Sequence, residues 1–438
     1  MARTRLSGFP EWTPSGYIVE QDILRHVRRT FELHGFAGIE TRAVEPLEDL
    51  LRKGETSKEV YVLRRLQEMD EAAEAELGLH FDLTVPLARY VLDNANDLVF
   101  PFKRYQIQKV WRGERPQAGR FREFRQADID VIGQDTLPFV FEVEVAIVMA
   151  EALAGIPVGE VVIGVNNRKI SQGFYEAIGI EDLDGTLRAV DKLAKIGHAG
   201  VVAELQQTVG ATETQAEAAL SLASIRGTEA AEVVRAVRER GARSELLDEG
   251  LEELALLLDA AARTIPGGVR ADLSIARGLD YYTGTVYEAT IVGHESFGAI
   301  CAGGRYDSLV SDGKRTFPGV GLSLGISRIV SRILGEGSAT ATRPVPTAVL
   351  VAVTDEGVRH ESDDVARELR ARGIPAEVSP TAAKFGRQIR YADRRGIPFV
   401  WFPDSGEVKD IRSGEQLAAD ATEWEPPAVD LWPRVVTP

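Results

Sequence analysis

The sequence predicts an α+β protein: an antiparallel sheet flanked by helices, with a helical insertion and a smaller C-terminal α/β domain. Three observations carry this. Extended text fills residues 100–133 and returns after Pro266. Between them, from about 174 to 264, lies a stretch rich in Ala, Leu, Glu and Arg, almost free of aromatics and helical in period throughout. Beyond a small-residue and proline segment at 335–346, strand and helix patterns alternate. At 438 residues the chain has room for two or three domains.

The elements follow in order. Ile18, Ile23, Leu24, Val27, Phe31 and Leu33 recur at helical spacing, and Gly35 ends that helix. FAGIETRAVEP reads as one short strand stopped by Pro46. KRYQIQKVWRGER and RFREFRQADIDVIG, joined by a turn at PQAG, read as a long antiparallel hairpin. VFEVEVAIVMAEAL follows as a buried helix. Strand text returns in RADLSI, TGTVYEATIVG and FGAICAGGRYD, where the glycines at 303 and 304 are a turn signal. GVGLSLGISRIVSRIL passes from strand to helix. In the last domain TAVLVAV, VARELRARG, IPAEVSP, RQIRYADRRG and IPFVWFP give a βαβαβ order. The tail ATEWEPPAVDLWPRVVTP holds too much proline to assign, and no internal repeat is present.

Composition removes several classes. Hydrophobic residues at 44 % and charged residues at 27 % exclude disorder throughout, collagen and a membrane-embedded protein. No run approaches the roughly 18 apolar residues of a membrane span, and MARTRLSGFPEW lacks the apolar stretch of a signal peptide. Cys301 is the single cysteine, so no intrachain disulfide forms and a cytoplasmic setting is expected. The net charge of −16 argues against a general nucleic-acid coat protein. Charge is uneven, however. Residues 101–125 carry eight basic side chains against Glu114 and Glu123, a local +6. Such a run either solvates a charged hairpin or focuses a field that collects phosphate.

Motifs narrow the chemistry. GxxxxGK[ST], HExxH and GxSxG are absent, and no cysteine pair accompanies the six histidines. A P-loop, a zinc site and a serine nucleophile are therefore not expected. What remains is arginines, carboxylates and tyrosines in β-rich surroundings. Arg112, Arg277 and Arg328 lie at or beside strand or helix starts, and guanidinium forks suit phosphate oxygens. Asp82, Gln126 and Asp130 supply acceptors for an amine. In RGLDYYTG, adjacent strand residues point to opposite faces, so at most one of Tyr281 and Tyr282 is expected to line a given cavity. Together they describe a pocket for a small zwitterion beside a polyphosphate.

These residues resemble the histidyl-tRNA synthetases, a family of class II aminoacyl-tRNA synthetases, over nearly the whole chain. The opening helix and strand resemble class II motif 1, KVWRGERPQAGRFREFRQADID motif 2, and GVGLSLGISRIV motif 3. ARGLDYYTGTVYE and GAICAGGRYD resemble the two histidine-specific signatures. The block with KFGRQIRYADRRGIPF and EVKDIRSGEQ resembles the anticodon-binding domain.

The resemblance implies a division into catalytic core (1–173 and 265–334), helical insertion (174–264), linker (335–346) and anticodon-binding domain (347–438). It further implies ATP as a substrate with Mg²⁺, tRNA(His) and L-histidine as partners, and a homodimer built through motif 1; no protein metal site is expected, and no separate editing domain, since none is evident in the sequence.

Residue by residue, the resemblance places Asp82 and Thr84 on the histidine α-amino group, with Gln126 and Asp130 closing round it. Tyr282 and Tyr306 would bind the imidazole nitrogens, with Tyr281 lining the same pocket. Arg112 and Arg277 would bind the α-phosphate and carry catalysis, and Arg328 would bind the γ-phosphate. Arg115, Gln117 and Arg120 in the motif 2 turn would meet the tRNA acceptor end. Many members carry Glu where this chain has Asp82 and Asp130, and an acidic residue where it has Ser327.

Two rivals share the catalytic fold. One is the regulatory subunit of ATP phosphoribosyltransferase, a non-catalytic relative that usually lacks the anticodon domain and is often eroded at the arginine of RGLDYY. The other is a pseudo-synthetase used for RNA sensing. An intact Arg277 and about 90 residues after the linker favour the ligase over the first, and the full set of arginines with no kinase signature favours it over the second.

Overall fold

The computed structural model describes residues 6–51, 59–65, 75–276 and 281–438. The chain forms two compact units, Met1–Pro10 with Leu24–Arg332, and Glu11–Ile23 with Ile333–Pro438.

In the first unit, α1 (Pro14–Leu33, whose first part belongs to the second unit) leads into β1 (Ala37–Gly38), β2 (Val44–Pro46) and α2 (Leu47–Leu51). One strand was expected here; two short ones form and go to different sheets. β2 joins β3 (Val62–Leu63) and β4 (Leu77–Leu79) in a three-stranded sheet.

After α3 (Thr84–Asn94) comes the expected hairpin of β5 (Phe102–Trp111) and β6 (Glu123–Ile132). They pair antiparallel from Phe102 opposite Ile132 to Trp111 opposite Glu123, and β1 adds to β5 in parallel. α4 (Val140–Ala154) is apolar nearly all round and buries Val145, Val148, Met149 and Leu153. β7 (Val161–Asn167) and α5 (Arg168–Ala177) follow.

Five helices come next: α6 (Leu183–Asp191), α7 (Leu193–Glu204), α8 (Glu213–Ala223), α9 (Ala230–Arg238) and α10 (Glu245–Thr264). A two-residue strand, β8 (Arg226–Gly227), interrupts what periodicity presents as helical throughout. β9 (Val269–Asp272), β10 (Tyr282–Ile291), β11 (Cys301–Tyr306) and β12 (Gly319–Gly325) complete the large sheet before α11 (Ile326–Glu336). Its order is β1-β5-β6-β12-β11-β10-β7-β9-β8.

Gly303 and Gly304 are not a turn. They sit inside β11, opposite Leu322 and Gly321 of β12. A Cβ on Gly303 would overlap the Gly321 carbonyl oxygen, so close backbone approach is what demands glycine there.

In the second unit, β14 (Val349–Val351), β15 (Ala376–Val378) and β16 (Phe399–Phe402) pair in parallel, with Val349 opposite both Ala376 and Phe399. α12 (Arg359–Ala371) and α13 (Phe385–Arg395) are the crossovers, as the βαβαβ pattern predicts. Two antiparallel strands extend the sheet beyond that pattern, β17 (Glu407–Asp410) and β18 (Gln416–Ala418). Both are short and largely polar, which hides them from a periodicity test.

The proline-rich tail is folded against this sheet. Trp424 packs edge-on to Phe399 and Trp401, with centroids 5.4 and 5.7 Å away. Arg372 donates to the Ala421, Glu423 and Trp424 carbonyls. α14 (Ala428–Leu431) and β19 (Val435–Val436) end the chain, β19 pairing with β13 (Thr340–Ala341). Among the described residues no helix is long and apolar enough to cross a membrane.

Candidate functional site

Within the first unit a cavity of about 360 Å³ lies against β6, β11 and β12. Alternation along β6 turns Phe124, Gln126 and Asp128 towards it. Ser323 of β12 and Cys301 of β11 share its floor. Asp82 and Thr84 close one side from the start of α3. Arg112, Glu114 and Arg120 enter from the end of the β5–β6 hairpin, and Arg328 from α11.

Part of the lining offers hydrogen-bond acceptors. Asp82 is buried, and its Oδ1 accepts from the Val85 amide at 3.1 Å, which fixes the carboxylate at the head of α3. Gln126 donates through Nε2 to Ser323 Oγ at 2.6 Å. Its amide oxygen, Oε1, is buried with no partner among the described residues.

The same lining carries cations. Arg112 donates through Nε to the Phe81 carbonyl at 3.0 Å and lies over the Phe124 ring at 5.1 Å. Both contacts hold its fork in place without neutralising it. Glu114 stands 3.9 Å from Arg112 and 3.7 Å from Arg120. Burial, with Glu114 nearby, raises the Glu59 carboxyl above its ordinary value. Arg328 stacks over Phe297 at 4.4 Å and donates to the Phe297 carbonyl. The hairpin turn passes close by at Gly119, with φ of 69° and no room for a Cβ against Phe297 and Arg328.

The sequence-predicted residues are distributed as follows. Asp82, Thr84, Arg112, Arg120, Gln126, Tyr281, Tyr282 and Arg328 all line this cavity. Arg115 and Gln117 are exposed on the turn, away from the lining. Arg277 lies outside the described residues.

The expectation that at most one of the tyrosine pair would line the cavity fails. Tyr281 precedes β10 rather than lying in it, so strand alternation does not separate the two. Their ring centroids are 4.3 Å apart, and Tyr281 donates to the Tyr282 hydroxyl at 3.0 Å. Burial raises the Tyr281 hydroxyl.

Asp130 and Tyr306 are not in the lining. Tyr306 donates to Asp130 Oδ1 at 2.8 Å, and Arg104 reaches Asp130 Oδ2 at 2.7 Å. All three are buried, Arg104 completely. They form a polar layer beneath the floor.

The residues that sequence reasoning passed over include Asp128, Ser323, Phe124, Glu114 and Cys301. Asp128 is 3 % exposed and its carboxyl is pushed up to about 7 by burial, against the lowering influence of Arg104 and of a hydrogen bond with Ser323. The alternation that selects Gln126 and Asp130 selects Asp128 between them, so the signal was available. Among the described residues no group of three or more His, Cys, Asp or Glu side chains is placed to hold a metal ion.

Comparison with known proteins agrees with this geometry. A family model described as Histidyl-tRNA synthetase matches residues 8–329, and one described as Anticodon binding domain matches residues 347–415. A histidine–tRNA ligase of Micrococcus luteus is 58 % identical over 451 residues, covering 99 % of this chain and 98 % of its own. The crystal structure of histidyl-tRNA synthetase from Nostoc sp. PCC 7120 superposes with a TM-score of 0.82 at 35 % identity, covering 95 % of this chain and 96 % of the other. An ATP phosphoribosyltransferase regulatory subunit/histidyl-tRNA synthetase from Bacillus halodurans C gives a TM-score of 0.75 at 20 % identity, with coverage of 92 % and 98 %. That last likeness shows the fold alone.

Proposed function

The chain belongs to the histidyl-tRNA synthetase family, and from that premise we propose that it is a histidine–tRNA ligase. It activates L-histidine with ATP to histidyl-adenylate and transfers the histidyl group to the 3′ end of tRNA(His), releasing pyrophosphate and AMP. The regulatory-subunit alternative loses its footing, because 58 % identity to a histidine–tRNA ligase extends over essentially the whole chain. The observation that carries the chemical reading is the lining of one cavity, which brings the acceptors Asp82 and Gln126 together with the cations Arg112 and Arg328.

The first step needs no general base, since the histidine carboxylate is already a nucleophile at neutral pH. The difficulty is bringing two anions together and stabilising charge at phosphorus. Arg112, braced by the Phe81 carbonyl and the Phe124 ring, would bind the α-phosphate. Arg277 is proposed to reach it from the other side. Arg328, clamped on Phe297, suits the γ-phosphate. These fixed cations do the work of positioning and charge stabilisation that phosphoryl chemistry asks of a protein.

A Mg²⁺ ion carried in by ATP needs only one or two carboxylates. Glu114, at the phosphate end between two arginines, fits as that ligand. When bound, the ion would supply charge neutralisation on the phosphates.

Thr84 and Asp82 would hold the α-ammonium with Gln126, and Tyr282 would meet the imidazole. Asp130 and Tyr306 would shape the floor from beneath, through Arg104. In the second step the terminal ribose hydroxyl of tRNA(His) attacks the adenylate carbonyl, with Arg115, Gln117 and Arg120 guiding the acceptor end. The 347–415 region would read the anticodon, helped by the exposed Lys384 at the start of α13 and by Arg387, Arg390 and Arg394 within it. We further propose a cytoplasmic homodimer.

Charging of tRNA(His) with histidine tests the reading. Accumulation of histidyl-tRNA that requires ATP, histidine and this enzyme supports it; absence of charging by folded protein overturns it.

A further inference from the structure

The second unit holds a cavity of its own. About 380 Å³ in volume, it lies between the segment after β13, the end of α13, the segment after β17, and α14. Small-molecule sites commonly span about 300–1,000 Å³. Three arginines line it, Arg343, Arg412 and Arg434, against two carboxylates, Asp393 and Asp430.

The arginines are not alike. Arg412 has its whole fork engaged: Nη1 and Nη2 donate to Asp430 at 2.7 and 2.9 Å, and Nε and Nη2 to Asp410 at 3.1 and 2.8 Å. Arg434 is exposed, donates through Nε to the Val429 carbonyl at 3.1 Å, and has no acidic partner among the described residues. The Thr342 amide donates to the Arg434 carbonyl at 2.8 Å, which sets Arg434 beside Arg343 where β13 and β19 meet.

Arg343 is 4 % exposed, yet its hydrogen bonds go to carbonyls alone: Nε to Val345, and Nη2 to Pro346 and Leu431, each at 3.1 Å. Those bonds tie the linker to the tail and account for two of its three nitrogens. Nη1 has no partner among the described residues, but unlike the orphaned nitrogens of Arg104 it is not sealed from solvent. With nearly all of the residue covered, the cavity it lines is where Nη1 lies open. An arginine this buried is ordinarily paired with a carboxylate. Burial lowers the Arg343 guanidinium below its ordinary value; Asp430 acts against that, and Arg412 with it.

We propose that this cavity binds a small phosphomonoester bearing hydroxyl groups, its phosphate held between Arg343 Nη1 and the Arg434 fork and its hydroxyls donating to Asp393. Two guanidinium groups without acidic partners match a dianion, and their planar forks fit phosphate oxygens. A phosphodiester inside an RNA chain carries one charge and a sugar on each side, which keeps it from a guanidinium so deeply covered. A terminal phosphate enters freely. Asp393 and the carbonyl end of α13 at Gly396 also belong to the lining. They repel a bare anion and accept from hydroxyl groups, so the ester is preferred to inorganic phosphate.

The test is calorimetric titration of the full-length protein with ribose 5-phosphate, inorganic phosphate and ribose. Ribose 5-phosphate should bind the parent, inorganic phosphate more weakly, and ribose not at all. Arg434→Gln, which removes an exposed side chain with one main-chain bond, should weaken ribose 5-phosphate at least about tenfold. Arg343→Lys keeps the charge, removes the fork and carries the same criterion as a second variant. No binding to the parent, or equal binding by parent and Arg434→Gln, as for phosphate held in the catalytic cavity, overturns the inference. Inorganic phosphate bound as tightly as the ester means an adventitious ion only, and overturns it too. So does a loss of tRNA(His) affinity in Arg434→Gln with ribose 5-phosphate binding unchanged, which gives the arginine to RNA. The outcome is independent of the ligase reading, since neither probe nor variant enters histidine activation.

Discussion

Replacing Asp130 by Asn should unsettle the protein more than it weakens substrate binding. Asp130 is the carboxylate with which Arg104 is paired, at 2.7 Å, and both are buried, Arg104 with no exposed surface. Arg104 Nε and Nη1 have no partner among the described residues, and Nη2 otherwise reaches the Leu83 carbonyl at a long 3.5 Å, so little takes up the guanidinium when Asp130 is neutralised. Breaking a buried ion pair from one side is destabilising by about 3–5 kcal/mol. Tyr306→Phe removes only the 2.8 Å hydroxyl bond and leaves the ion pair intact, which calls for about 1–3 kcal/mol.

An unfolding entropy of about 2.1 cal/mol/K per residue, over a unit of roughly 300 residues, converts these to about 1.5 °C per kcal/mol. Asp130→Asn should therefore lower the midpoint of the first unit by about 4.5–7.5 °C, and Tyr306→Phe by about 1.5–4.5 °C. Scanning calorimetry without ligands, at one scan rate, reads both, and pyrophosphate exchange reads the histidine KM. A midpoint moved by less than about 2 °C in Asp130→Asn, together with a large rise in histidine KM, would refute the assignment of Asp130 to the supporting layer. It would make Asp130 a direct ligand contact instead.

Other perturbations separate other parts of the account. Tyr282→Phe should raise the histidine KM well above any change in the ATP KM, and equal losses for both would remove Tyr282 from imidazole recognition. Neutralising Lys384 before α13 and Arg387 and Arg390 within it to Gln should weaken tRNA binding and flatten its salt dependence while exchange continues at the parent rate; an unaltered salt slope would take α13 out of the tRNA interface. Gly303→Ala forces a methyl group into the Gly321 carbonyl across β11 and β12. Its folded yield and melting midpoint should both fall, and a midpoint equal to the parent's would mean that the strands can part at no cost.

Much of the fold was legible because long elements carry strong periodicity. In β6 polar Gln126, Asp128 and Asp130 alternate with apolar Ala127, Ile129 and Val131, and α4 is apolar nearly all round. What escaped was short, polar or set by tertiary contact. β17 and β18 hold few apolar residues, and the tail's place was decided by Trp424 meeting Phe399 and Trp401, which no local pattern announces. Gly303 and Gly304 read as a turn because a turn and a close strand approach demand the same residue.

The candidate site divides in the same way. Arginines, Asp82 and Gln126 stood out by residue type, and the structure gathers those it describes around one cavity. Asp128 shares a strand face with Gln126 and Asp130, yet its environment depends on Arg104 and Ser323, which belong to other strands. The sequence cannot show that Asp130 is consumed by Arg104 and Tyr306, leaving its neighbour two residues earlier with the unpaired oxygen.

The central claim is that this cavity activates histidine with arginine-held ATP. Histidine-dependent ATP–pyrophosphate exchange, compared between the parent enzyme and Arg112→Ala, measures it most directly. The account predicts robust exchange with histidine alone among the amino acids, and a loss of about a hundredfold or more in kcat when the guanidinium is removed from a still-folded protein. Exchange that persists at the parent rate in Arg112→Ala, or that proceeds equally well with another amino acid, would contradict it.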